Sequence, residues 1–141
     1  MRTVYVDSSA FIALLRRADA YHAAAAGHFT RLRRRGALLV TCDPVIAETS
    51  TRLRYDAGPA AVTAFREGLE DAAAAGQLRV RESDTDLRVA ALELIASSPR
   101  LRLSYADAVG ATVAREVTAD AVFAFDTDFR DLGFRLEPTG Q

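Results

Sequence analysis

Thr3-Val4-Tyr5-Val6-Asp7-Ser8-Ser9-Ala10-Phe11-Ile12-Ala13-Leu14-Leu15 is the stretch on which the fold turns. Its first four residues are a short β-prone apolar run, which predicts a buried strand over residues 3–6. An acid and two serines follow. The next segment is apolar almost all round (Ala10, Phe11, Ile12, Leu14, Leu15), which predicts a buried helix over residues 8–17. A strand that passes through polar residues directly into a buried helix is the opening unit of an α/β sheet.

Outward from this unit the same alternation continues. Residues 20–35 carry a second helical pattern, stopped by Gly36. Residues 37–41 read as a strand, and Asp43-Pro44 as the cap and first residue of a helix to about Asp56. Gly58-Pro59 breaks that helix. A further helix over 60–75 ends at Gly76, and residues 77–81 form a strand. Asp84 caps a helix to about Ser97, and Ser104 caps another to about Val117. Residues 121–125 are a strand and 134–136 a last short one. The expected architecture is α/β: a single three-layer domain over residues 1–141, with a central, mostly parallel four- to five-stranded sheet flanked by helices. In such sheets ligands bind outside the carboxyl ends of the strands.

Composition narrows the function classes. With 141 residues the chain is long enough to bury a core without disulfide or zinc. Its one cysteine, Cys42, excludes an intrachain disulfide and fits a reducing cytoplasm. No apolar run is long enough to span a membrane, and Asp7 interrupts the only apolar stretch that resembles a signal peptide. The 18 basic residues, all Arg, are balanced by 19 acids, for a net charge of −1. The whole molecule is therefore not a basic nucleic-acid binder. The cluster Arg31, Arg33, Arg34 and Arg35 reads first as a solvated helix end, where cations oppose the helix dipole. His22 and His28 are six residues apart, which is not one helix face, and no serine-nucleophile motif or glycine-rich phosphate loop is present.

Four acids stand where chemistry is expected. Asp7 directly follows the first strand and Asp126 the strand 121–125, so both belong at the carboxyl edge. Glu48 and Asp107 lie early in their helices, at the border of the apolar stripe. Each has a local alternative. Asp7 would cap its helix, and Asp107 would complete a capping box with Ser104. Asp126 would start an Asp turn, and Glu48 would pair with Arg52. Converging, they would repel by about 4 kcal/mol per pair at about 4 Å and an effective dielectric near 20. Cations must neutralise such a cluster, or some members take up protons. Hard oxygen donors without His or Cys suit Mg²⁺ or Mn²⁺. Such ions bind a phosphodiester, lower the pKa of a water and stabilise the leaving oxygen.

The motifs around these acids resemble those of PIN-domain proteins of the VapC toxin type over essentially the whole chain. They are Val4-Tyr5-Val6-Asp7-Ser8-Ser9, Val45-Ile46-Ala47-Glu48, Ser104-Tyr105-Ala106-Asp107-Ala108 and Phe125-Asp126-Thr127-Asp128-Phe129. The resemblance implies a PIN-like fold and a metal-dependent endoribonuclease that cleaves RNA with a metal-activated water. Asp7 and Asp107 would be the principal metal ligands, Glu48 and Asp126 would complete the site, and Asp128 would be a fifth acid. Ser9 would orient Asp7. In many relatives Thr or Ser stands two residues before the fourth acid; here that residue is Ala124. The implied partners are RNA, a cognate antitoxin protein and a second copy of the chain, the protein being the toxin of a type II toxin–antitoxin pair. A non-catalytic RNA- or protein-binding module on the same fold is the alternative. Receiver domains and haloacid-dehalogenase-type phosphatases share the architecture, but both rely on a Lys, and this chain has none.

Overall fold

The computed structural model describes residues 1–139. Five strands form one sheet in the order β3-β2-β1-β4-β5, and every pairing is parallel. They are β1 (Thr3–Val6), β2 (Leu38–Cys42), β3 (Leu78–Arg81), β4 (Ala121–Phe123) and β5 (Leu136–Glu137). The helices are α1 (Ser8–Leu15), α2 (His22–Arg34), α3 (Asp43–Asp56), α4 (Pro59–Ala74), α5 (Thr85–Ser97), α6 (Tyr105–Glu116) and α7 (Asp128–Asp131). The first strand is thus the central one.

Alternation along β1 divides the core. Val4 and Val6 face one side, where Leu39, Leu78 and Phe123 meet α1 and α2 through Ala10, Ala13, Ala25 and Leu32. Tyr5, Val40 and Val122 face the other, under α5, α6 and Phe129 of α7. A smaller core of Ile12, Leu53 and Phe65 joins α1, α3 and α4. The sheet is therefore sandwiched between two helical layers, the expected three-layer α/β arrangement.

Several boundaries differ from the sequence expectation, each for a local reason. Strand β4 ends at Phe123 rather than 125, because the Phe125 N–H leaves the ladder and donates to Ser9 Oγ at 2.9 Å. Asp126 accordingly stands beyond the strand, not directly on its end. Helix α1 stops at Leu15 because Arg16 is extended (φ −107°, ψ 101°). Helix α2 starts at His22, since Asp19 holds the turn before it by accepting from the Tyr21 N–H at 2.9 Å. Cys42, not Asp43, is the N-cap of α3, with Asp43 and Pro44 already helical. Pro59 starts α4 rather than breaking the chain; the break belongs to Gly58, whose φ of +94° suits glycine. The last strand is Leu136–Glu137 instead of 134–136, and α7 was not anticipated, being a single turn too short to show a period.

Glu137 pins the sheet's edge to its centre. It accepts from the Arg2 guanidinium and lies 3.1 Å from His28 Nε2 of α2. Burial opposes its charge, but the Arg2 bonds prevail and hold it below the usual glutamate range.

Gly110 lets α6 sit directly on Tyr5. A Cβ there would stand 2.8 Å from Tyr5 Cζ and 2.9 Å from Cε1. The ring is fully buried and has nowhere to go. Gly110→Ala is expected to destabilise the protein by up to about 2 kcal/mol: overpacking of about 1–3 kcal/mol against a fully buried ring is offset only by a gain of roughly 1 kcal/mol in helix propensity. Urea unfolding measures this, and a variant at least as stable as the wild type would contradict the packing described.

Candidate active site

The carboxyl edge of the sheet carries five acids from four segments of the chain: Asp7, Glu48, Asp107, and Asp126 with Asp128. Asp7 is the N-cap of α1 and is 2% exposed. Its Oδ2 accepts from the Ser9 hydroxyl at 2.8 Å and from the Ser9 N–H at 3.2 Å. Its Oδ1 is buried with no hydrogen-bond partner. Burial foremost, aided by the charge of Asp107, pushes the Asp7 carboxyl up to about 7 against the pull of the Ser9 bonds.

Asp107 belongs to the capping box of α6. Its Oδ2 accepts from the Ser104 N–H at 3.1 Å, while its own N–H donates to Ser104 Oγ at 3.0 Å. Burial, together with Asp126 and Glu48, raises its pKa above the usual range. Asp126 makes an Asp turn: its Oδ1 accepts from the Asp128 N–H at 3.0 Å. Asp128 is pushed up to about 6, by burial first and then by Asp126 and Asp107. Glu48 on α3 accepts from the Ser8 hydroxyl at 2.9 Å, so the expected alternative of a pair with Arg52 is replaced by a bond to α1.

The local roles weighed for Asp7, Asp107 and Asp126 are thus real, and they position the acids rather than compete with a site. Asp107, Asp126 and Asp128 each offer one oxygen within 4.8 Å of the others. Asp7 and Glu48 stand near enough to Asp107 to act on it or be acted on electrostatically. Among the described residues none of the five carboxylates is ion-paired with Arg or His. Like charges packed without a counter-ion call for one from outside. The donor set is all oxygen, with one buried oxygen left unsatisfied, and it fits a hard divalent cation.

Two contacts escaped the sequence reading. Ser8 appeared only as a small hydroxyl residue in a motif, yet it carries Glu48. Ser9 was expected to orient Asp7, but its hydroxyl also accepts from Phe125 and so ties the ends of β1 and β4 together. An Asp-Ser-Ser triplet after a central strand is the only signal that could have suggested either.

The model of the PIN domain family matches residues 4–135, and this chain belongs to that family. Among solved structures, Mycobacterium tuberculosis VapC20 (Rv2549c), a sarcin-ricin loop cleaving toxin, is 29% identical, with a TM-score of 0.78 over 93% of this chain and 95% of that one. FitAcB from Neisseria gonorrhoeae shares the fold at 15% identity, with a TM-score of 0.65 over 94% of this chain and 95% of that one. No curated protein matches the sequence. Family and fold bear out the reading of a VapC-type PIN ribonuclease. Among the described residues no helix is long and apolar enough to cross a membrane.

The raised Asp7 pKa makes the metal-free protein pH-sensitive. Unfolded, Asp7 ionises near 3.8; folded, near 7. Between these values the native state holds the extra proton, so stability falls as pH rises through the window. The shift corresponds to on the order of 4 kcal/mol by pH 8. In EDTA, wild type should lose that much relative to Asp7→Asn between pH 4 and pH 8 in denaturant titrations. Parallel pH profiles for the two proteins would contradict the assignment.

Proposed function

We propose that the chain is the toxin of a type II toxin–antitoxin pair and that it cleaves RNA endonucleolytically at this acidic cluster with Mg²⁺ or Mn²⁺. The observation that carries the reading is the convergence of Asp107, Asp126 and Asp128 on one point, with Asp7 and Glu48 close enough to act electrostatically with Asp107, and with none of the five in an ion pair with Arg or His among the described residues. Asp7 and Asp107 would be the principal ligands, supported by Glu48 and Asp126, with Asp128 as a fifth acid. A divalent ion held there would supply Lewis acidity toward the phosphate and lower the pKa of a water.

The chain's own residues do the positioning. Ser9 holds Asp7 Oδ2, so its unsatisfied Oδ1 remains the free donor. Ser104 holds Asp107 and Ser8 holds Glu48. The raised Asp7 and Asp128 pKa values make these acids compete between proton and metal near neutrality, so metal affinity should climb as pH rises through about 6 to 7. VapC20 cleaves the sarcin-ricin loop; by that likeness a structured RNA loop is the first substrate to try. The reading as the toxin of such a pair carries with it a cognate antitoxin as protein partner, a homodimer that binds it, and action in the cytoplasm.

Purified protein should cleave RNA with Mg²⁺ or Mn²⁺ and stop in EDTA. Asp7→Asn and Asp107→Asn should each lose at least about 10²-fold in rate, a loss of the order seen when one electrostatic contributor is removed from an active site. Full activity of either variant would refute the site assignment. Ser9→Ala should weaken metal affinity or activity by roughly 10- to 100-fold, as for other residues that orient a metal ligand. Calorimetry against Mn²⁺ reads that loss without turnover.

A further inference from the structure

The aromatic residues at the carboxyl edge form a continuous series. His28 packs edge-on against Phe123 with ring centroids 4.9 Å apart, and Phe123 meets Phe125 at 6.2 Å. Tyr21 then stacks on Phe125 at 4.6 Å, with only 12° between the ring planes. The inner members lie within the fold, but Tyr21 at the N-cap of α2 is 44% exposed. Phe125 stacks on one face of its ring, and the residue as a whole still keeps nearly half its surface in solvent. The position is held: Asp19 accepts from the Tyr21 N–H, and the Phe125 N–H is tied to Ser9, which also holds Asp7. Phe125 is bonded directly to Asp126, and consecutive Cα atoms are only about 3.8 Å apart.

A preordered, partly exposed aromatic stack one residue along the chain from Asp126 has a chemical match in single-stranded RNA, whose unstacked bases lie on aromatic side chains. We propose that the open face of Tyr21 is a nucleobase platform, taking the base of a nucleotide adjacent to the scissile phosphate; this rests on the ribonuclease reading above. Phe125 backs the ring and fixes its plane, so the site selects an unpaired base by its π-face rather than by hydrogen bonds. Tyr21 acts here as a positioning residue. It sets which phosphate of a flexible strand reaches the acids.

The test uses the full chain carrying Asp7→Asn to stop turnover, in Mg²⁺, with short single-stranded oligoribonucleotides in which 2-aminopurine is moved one nucleotide at a time. Anisotropy reads binding, and quenching of 2-aminopurine fluorescence reads stacking. One register should be quenched by the parent and by Tyr21→Phe. With Tyr21→Leu the quenching should vanish and binding weaken by about 5- to 150-fold, the range for losing one base–aromatic stack. An abasic nucleotide at that register should weaken the parent equally and leave Tyr21→Leu unchanged. Circular dichroism and melting of Tyr21→Leu confirm that the variant folds. RNA binding with the same quenching in Tyr21→Leu as in the parent would overturn the platform and leave the ribonuclease reading standing. No RNA binding by any form, nor by the protein with Asp7 intact in Ca²⁺, would overturn both.

Discussion

The structure depends on one unfavourable arrangement: carboxylates held close together, with Asp7 buried almost completely and one of its oxygens unbonded. Such an arrangement costs free energy in the absence of a cation, and the raised pKa values of Asp7, Asp107 and Asp128 register that cost. The rest of the fold supplies the stability that tolerates it. The two apolar layers on β1 and the close seat of α6 over Tyr5 keep the acids from separating. Local strain and uncompensated charge persist in a protein only where the surroundings hold them.

The means of convergence is the sheet topology. β1 is central and β4 lies beside it, so Asp7 and the segment after Phe123 emerge at the same edge. Ser9 joins them through a single hydroxyl that donates to Asp7 and accepts from Phe125. Helices α3 and α6 bring Glu48 and Asp107 to the same edge, with Val45 of α3 sharing the core under α6. Cap, capping box and Asp turn then fix one oxygen of Asp7, Asp107 and Asp126, respectively. The ordinary devices of helix termination are what orient the acids.

Much of this was legible in the sequence because it follows from periodicity and capping. The Thr3–Val6 strand, the Ser104–Asp107 box and the Asp84 cap are local patterns, and the structure contains them. The carboxyl-edge position of Asp7 followed from the strand-end rule. What was not legible depends on partners distant in sequence. The early end of β4 is set by Ser9, 116 residues away, and the bond from Ser8 to Glu48 spans 40 residues. Helix α7 is one turn, too short for a hydrophobic period, and its Phe129 is recognisable as core only once the sheet exists. The stacking of Tyr21 on Phe125 likewise needs the fold to bring α2 beside β4.

The central claim is that these acids are gathered for a divalent cation. Anomalous diffraction from crystals of the protein grown with Mn²⁺ tests it most directly. The account predicts a peak bounded by carboxylate oxygens of Asp7 and Asp107, with Asp126 or Asp128 within coordination distance. Absence of any peak in this cluster at saturating Mn²⁺, with Asp7 still buried and unpaired, would contradict it.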